Sequence, residues 1–196
     1  MGVTPFREGA RRIRNVSGTA SLEMALLKAV KVLAHHGIPH LVGGGFAVQE
    51  HGYCRTTSDL ELVVPSMPEA KENLLANGFE KSTDSVSAVI DTDSKVKIKL
   101  LPGGGKVFVK DKLDQPMPTE VTEQPKIMSL SELLNTKLSR GWMKDLSDVV
   151  QLIKANSLSK KYPVDDIVQT DYEKAWDIAA AEMARMARAD EPRTWE

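Results

Sequence analysis

The chain has 196 residues, a formal net charge of −1 at pH 7, 41% hydrophobic residues and 27% charged residues. This composition is typical of a folded globular protein, and it excludes a global electrostatic attraction to nucleic acid or to anionic membranes. A single cysteine, Cys54, excludes an intramolecular disulfide, and no apolar run approaches the ~18 residues that span a bilayer. We therefore expect a cytoplasmic protein that does not associate with membranes.

The length predicts one core domain with a smaller helical appendage rather than two full domains. Residues 1–19 contain four arginines and little apolar periodicity, which predicts a flexible basic leader. Helix and strand patterns alternate over residues 20–128, which we interpret as the core domain. Only helical patterns follow over residues 129–196, which predicts a C-terminal helical region.

The first half of the core alternates helices and strands. Ser21 is a candidate helix cap and Gly37 a candidate helix stop, because apolar residues at helical spacing lie between them. The predicted elements are a helix over 21–36, a strand over 41–42, a short helix over 46–48, a strand over 59–64 and a helix over 68–77.

The second half begins with a hairpin. In the second strand, lysines alternate with aliphatic residues over 95–100, so three lysines share one face. The predicted elements are strands over 86–90 and 95–101 around a turn at 91–94, a strand over 107–109, a proline-rich connector over 115–125, and helices over 131–140, 144–155 and 171–189.

A glycine turn precedes a pair of acidic residues. Gly43, Gly44 and Gly45 follow a predicted strand and open a short helix, and Asp59 and Glu61 lie two residues apart on the next strand. Backbone N–H groups at a helix start can bind phosphate oxygens, and two carboxylates on one face of a strand can share a divalent cation. The pattern predicts a nucleoside triphosphate site. The simpler alternatives are a turn that needs glycine for steric reasons and a strand end with two solvated acids.

The pattern resembles the nucleotidyltransferase superfamily with the DNA polymerase β-like fold. Within it, the chain is most similar to small bacterial AbiEii- and MNT-like nucleotidyltransferases, a group that includes toxins of the toxin–antitoxin type. The resemblance covers roughly residues 20–155. It depends on the glycine turn, the Asp59-x-Glu61 pair, the strand sequence at 96–104, and the Lys-Leu and Arg-x-x-x-Lys-Asp-x-x-Asp patterns within 137–148.

The resemblance implies an α+β fold with a nucleotidyltransferase-type mixed β-sheet, flanking helices and a C-terminal helical region that closes over the nucleotide. It implies transfer of a nucleoside monophosphate from a nucleoside triphosphate to a hydroxyl group of RNA, a protein or a small molecule. It also implies that Asp59 and Glu61 are catalytic and bind Mg²⁺, with Mn²⁺ as an alternative. Gly43, Gly44 and Gly45 would hold the phosphates.

Lys99 departs from the family pattern. The family has a third metal-binding carboxylate at this position of its third strand, so the resemblance implies a catalytic deficit rather than a loss of nucleotide binding. If Lys99 faces Asp59 and Glu61, its ammonium group can pair with both and replace a cation. Alternatively, Asp91 or Asp93 in the predicted turn supplies the missing ligand.

Further nucleotide contacts are expected from the loop before the acids and from the helical motifs. The resemblance implies that the lysines reach the triphosphate and that the helical acid orients them or contacts the nucleotide. The alternative is a set of ordinary helix salt bridges, worth only ~0.5 kcal/mol each. The candidates are Arg55, Thr57, Lys137, Lys144 and Asp145.

Two hypotheses about function remain open at this point. The first is a nucleotidyltransferase, and the second is a binding protein that keeps the nucleotide pocket and has lost efficient catalysis because of Lys99. The terminal helix carries alanine, tryptophan and methionine residues on one side, which predicts a packing face. A homodimer through this face is an alternative.

Overall fold

The computed structural model describes residues 19–189, so most of the predicted basic leader lies outside the described residues. The α+β fold class is confirmed, with a five-stranded mixed sheet, flanking helices and a C-terminal helical region. The elements are α1 (Thr19–His35), β1 (Leu41–Gly43), α2 (Gly44–Glu50), β2 (Asp59–Val64), α3 (Met67–Ala76), β3 (Phe79–Lys81), β4 (Ala88–Asp91), β5 (Lys97–Pro102), α4 (Leu130–Arg140), α5 (Met143–Ala155) and α6 (Asp166–Ala189).

The strand order of the sheet is β1-β2-β5-β4-β3. The central pair, β2 and β5, is parallel, and the other neighbouring pairs are antiparallel. In the central pair, Asp59 lies opposite Lys97 and Glu61 lies opposite Lys99. Because alternate residues of a strand point to the same face, these two acids and two lysines share one face of the sheet.

Each face of the sheet has its own hydrophobic core. On the first face, Leu60, Leu62 and Ile98 pack with α1 and α3. On the second face, Val63 and Leu101 pack with the helical region α4–α6. The charged residues of β2 and β5 lie on this second face, at the end of the strands that precedes Val63 and Leu101. A polar site therefore lies beside the C-terminal helical region.

Local capping explains where several helices begin and end. Ser129 accepts a hydrogen bond from the backbone N–H of Glu132, and the Glu132 side chain accepts one from the Ser129 backbone, which forms a capping box at the start of α4. Gly141 ends α4 in the left-handed conformation, at φ +65°. The prediction for Ser21 is wrong, because α1 begins at Thr19 and Ser21 lies inside its first turn.

Two other element predictions need correction. Residues 107–109 form bends and a turn rather than a strand, and the Phe108 backbone N–H donates to the Asp111 carboxylate at 3.0 Å. The apolar residues there resemble a strand in sequence, yet Val109 is 97% exposed and has no neighbouring strand. The last helix begins at Asp166, five residues before the predicted start at Asp171.

The last helix, α6, packs through its first half. Val168, Tyr172, Ala175 and Ala179 are buried against α4 and α5. Met183 and Met186, which continue the predicted packing face, are exposed. Across residues 19–189, none of the helices combines the length and hydropathy needed to cross a membrane.

Candidate functional site

Asp59 and Lys99 form an ion pair on the second face of the sheet. The two residues belong to neighbouring parallel strands. Lys99 lies directly opposite Glu61, so its pairing with Asp59 is diagonal. Both side chains are partly accessible, with 27% of Asp59 and 39% of Lys99 exposed. The structure therefore places Lys99 against Asp59, the first acid of the pair.

Glu61 has a different cationic partner. A terminal nitrogen of Arg140 lies 3.3 Å from a carboxylate oxygen of Glu61, and the two side chains are 12% and 16% exposed. Arg140 is the last residue of α4, so this contact joins the sheet to the helical region. Its Nε atom is buried and has no hydrogen-bond partner. Lys99 therefore pairs with one acid rather than both, and Arg140 neutralises the other.

These donors do not fit a resident two-metal centre. Two carboxylates alone leave a divalent ion short of protein oxygen ligands, and both carry a cationic partner here. Within residues 19–189, no three acidic, histidine or cysteine side chains converge as a metal site. Protein cations, Lys99 and Arg140, instead accompany the two acids.

The alternative ligands Asp91 and Asp93 do not reach this site. The Lys28 ammonium group lies 2.6 Å from an Asp91 oxygen and 2.7 Å from an Asp93 oxygen. Lys28 belongs to α1, which packs on the opposite face of the sheet from Asp59. The alternative in which Asp91 or Asp93 supplies a ligand beside Asp59 and Glu61 therefore does not hold in this structure.

The glycine turn and the acids come together, as the sequence pattern predicts. Gly44 has φ +63°, and a Cβ added there would lie 2.6 Å from Cδ of Glu61. A Cβ on Gly45 would lie 2.6 Å from the Thr57 hydroxyl oxygen and 3.0 Å from a nitrogen of Arg55. The close approach of Glu61 and Thr57 gives these glycines a steric reason. It also places the turn directly beside the acidic pair.

The helical motif residues form a buried charge network. The Lys137 ammonium group lies 3.0 Å from Asp145 and 2.6 Å from Asp148, and all three side chains are at least nine-tenths buried. Arg55 binds Asp148 through two nitrogens at 2.6 and 2.9 Å. The charges balance, with two cations and two acids, which is the condition under which buried charges are tolerated.

This network holds the loop before β2 against the helical region. Arg55 lies in that loop, and its other contact is to the backbone oxygen of Thr56 at 3.1 Å. The Thr57 hydroxyl donates to the backbone oxygen of Asp59 at 3.2 Å. One oxygen of Asp145 is buried without a partner. The predicted residues Arg55, Lys137 and Asp145 thus belong to one network, in which Asp148 connects Arg55 to Lys137.

Lys144 stands apart from this network. It lies in the first turn of α5, is exposed, and takes part in none of the ion pairs found within residues 19–189. The structure therefore gives it no contact with Asp59 or Glu61.

Sequence reasoning missed the partners of two site residues. The sequence places Arg140 in the helical motif, but its pairing with Glu61 joins residues 79 positions apart. The sequence predicts that Arg55 contacts the nucleotide, but its carboxylate partner Asp148 lies 93 positions away. No local sequence pattern identifies partners at such separations.

Comparisons with known proteins give only remote likenesses. A scan of protein-family models and a search of curated proteins found no match. Among solved structures, the antibiotic-resistance factor ANT(2'')-Ia in solution has a TM-score of 0.38 and 13% identity, covering 89% of this chain and 97% of that chain. Its crystal structure in complex with adenylyl-2''-tobramycin has a TM-score of 0.38 and 12% identity, covering 87% and 94%. JHP933 from Helicobacter pylori has a TM-score of 0.38 and 14% identity, covering 89% and 97%.

Proposed function

We propose that this chain is a nucleotide-binding protein of the nucleotidyltransferase type with impaired transferase chemistry. The ion pair between Lys99 and Asp59 is the observation that carries the proposal. An ammonium group bound to the first acid opposes a divalent cation at the same oxygens, because like charges repel and Mg²⁺ requires several oxygen ligands. We therefore place Lys99 in the role of a built-in cation.

The phosphate chain of a nucleoside triphosphate fits the donors at this site. The Lys99 side chain is 39% exposed and has three N–H donors, and the guanidinium group of Arg140, whose side chain is 12% exposed, lies beside the acids. Charge-assisted hydrogen bonds from these groups to phosphate oxygens would hold the chain beside the turn of Gly43, Gly44 and Gly45. Asp59 and Glu61 already bind the same cations, so they compete with phosphate. This competition predicts modest affinity that does not depend on Mg²⁺ or Mn²⁺.

A second candidate function is transfer of a nucleoside monophosphate to a hydroxyl acceptor. It is favoured by the shared face of Asp59 and Glu61 and by their partial exposure, since 27% and 16% of these side chains are accessible. In this case both acids would have to leave Lys99 and Arg140 and bind a divalent cation. Neither the nucleotide base nor the acceptor, whether RNA, a protein or a small molecule, follows from the contacts at the site.

Calorimetry with ATP, GTP, CTP and UTP separates the two candidates. Each titration is run with Mg²⁺ and again with EDTA, and pyrophosphate release is measured in parallel. Binding that persists in EDTA, with no pyrophosphate release, supports the binding protein. Binding that requires Mg²⁺, followed by pyrophosphate release, supports the transferase and contradicts the main proposal.

We also propose a homodimer through the second half of α6. Met183 and Met186 are 38% and 60% exposed on the side that continues the buried Ala175 and Ala179. Light scattering after gel filtration tests this proposal directly. A monomeric mass at every concentration would refute it, and a dimer that dissociates after Met186→Glu would support it.

A further inference from the structure

An aromatic pair lies exposed at the junction of α4 and α5. The rings of Phe108 and Trp142 are 5.0 Å apart at 45°, and 43% and 51% of these residues remain accessible. Phe108 comes from the loop after β5, and Trp142 lies between Arg140 and the first turn of α5. Exposed tryptophan and phenylalanine in contact are unusual on a folded surface, where large apolar groups are normally covered.

Lysines lie close in sequence to both aromatic residues. Lys106 and Lys110 lie two residues on either side of Phe108, and Lys144 lies two residues after Trp142. All three are exposed, and none belongs to an ion pair within the described range 19–189. We name Lys106, Phe108, Lys110, Trp142 and Lys144 the aromatic–lysine surface.

The acids around this surface are mostly engaged. Asp111 is 4% exposed and accepts a hydrogen bond from Phe108, and Asp145 is buried against Lys137. Asp171 pairs with Lys112. Asp114 is the nearest exposed acid along the loop. The free charge beside the rings is therefore mainly positive.

The loop that carries Phe108 is closed at its base and attached to the helical region. The backbone N–H of Gly104 donates to Gln115 at 3.0 Å, and the N–H of Gln115 donates to Gly105 at 2.8 Å. The N–H of Leu113 donates to the Ser139 hydroxyl at 2.7 Å. These hydrogen bonds close the loop and attach it to α4, so the fold itself positions the aromatic pair.

We propose that the aromatic–lysine surface binds single-stranded nucleic acid. Unpaired bases stack on exposed rings, and ammonium groups neutralise the phosphates between them. Aromatic residues are also enriched at protein interfaces, but lysine is depleted there. A protein partner therefore fits this lysine-rich surface less well. The surface includes neither Asp59 nor Glu61, so the proposal does not depend on nucleotide binding at those acids.

Fluorescence anisotropy of the full chain tests this proposal with a labelled 12-nucleotide RNA and a DNA of the same sequence. We expect Trp142→Ala and Phe108→Ala each to weaken binding about 10-fold or more, whereas Trp142→Phe keeps most of it. Replacing Lys106, Lys110 and Lys144 by Gln should reduce the slope of log K against log salt by about 2. The charge-matched control replaces Lys31, Lys81 and Lys161 by Gln and should leave the slope unchanged.

Three results would overturn the proposal. The first is no binding of either oligonucleotide at low salt by the unmodified chain. The second is equal binding by Trp142→Ala, the triple lysine variant and the control. The third is a poly-glutamate peptide that competes with the oligonucleotide at equal charge concentration, which would assign the surface to acidic polypeptides. Weaker binding of a duplex of the same sequence would support stacking on unpaired bases.

Discussion

Lys99 binds Asp59 although its directly opposite residue across the parallel strands is Glu61. The diagonal pairing leaves Glu61 to Arg140, which approaches from the end of α4. Two acids of one strand are thus neutralised by two cations from different elements. A residue that the family resemblance assigns to metal binding becomes part of an internal salt bridge.

Placing a carboxylate at position 99 should create metal affinity. In Lys99→Asp, three acids share the face of β2 and β5, and the competing ammonium group is gone. We expect Mg²⁺ affinity to rise at least 10-fold, measured by calorimetry with Mn²⁺ and Mg²⁺. The control Lys81→Asp makes the same charge change on the edge strand β3 and should not affect metal binding. Equal metal affinity in all three proteins would contradict the placement of Lys99.

Alanine substitution at Gly44 tests the glycine turn, and the same substitution at Gly37 is the control. Both have positive φ, +63° and +69°, but a Cβ at Gly37 meets nothing within 4 Å. Alanine at either position should cost about 1–2 kcal/mol for the left-handed backbone. Gly44→Ala should cost roughly 1–3 kcal/mol more, because Glu61 must move away from Arg140. Urea unfolding measures the free energy of unfolding of both variants. Equal losses would show that the close approach of Glu61 to Gly44 does not affect stability.

Lys137→Met should be strongly destabilising. It leaves Asp145 without its cation and removes one of the two cations of Asp148, and both acids are buried. We expect a loss of about 3–5 kcal/mol in the free energy of unfolding. The control Lys154→Met breaks a pair with Glu182, a residue that is 40% exposed, and should cost less than about 1 kcal/mol. A small loss in Lys137→Met would mean that the network is not important for stability.

His40 should make the protein sensitive to mild acid. The pKa of this imidazole is lowered from 6.5 to about 4, mainly by burial and in smaller part by the charge of Lys126, against a backbone hydrogen bond to Gln124 that raises it. Since the unfolded chain binds the proton first, stability should fall as pH decreases from about 6.5 to about 4, by about 3 kcal/mol. His40→Leu should remove this slope. Parallel stability curves for the two proteins would contradict the inference.

The sequence predicts those parts of the site that depend on strand periodicity. Asp59 and Glu61 alternate with apolar residues, as do Lys97 and Lys99, and this pattern indicates which side chains share a face. The glycine turn lies beside Glu61 because β1 pairs with β2, the next strand along the chain. These inferences hold because they depend on residues close in the chain and on the fixed period of a strand.

Contacts between distant elements could not be predicted in this way. Arg140 reaches Glu61 only because α4 packs on the second face, and Lys28 binds Asp91 only because α1 packs on the first. Neither packing arrangement is encoded in a local pattern. The strand expected at 107–109 failed for a related reason, since apolar residues in an exposed loop have the composition of a strand but no neighbouring strand to pair with.

Binding of ATP to the unmodified chain and to Asp59→Asn in EDTA tests the role of Lys99 most directly. If Lys99 replaces a metal ion, the unmodified chain binds ATP without divalent cations. Asp59→Asn then binds roughly 3- to 10-fold more tightly, because Lys99 is released for phosphate, a gain of about 1 kcal/mol. No binding in EDTA, together with loss of Mg²⁺-dependent binding in Asp59→Asn, would instead show that Asp59 is a metal ligand.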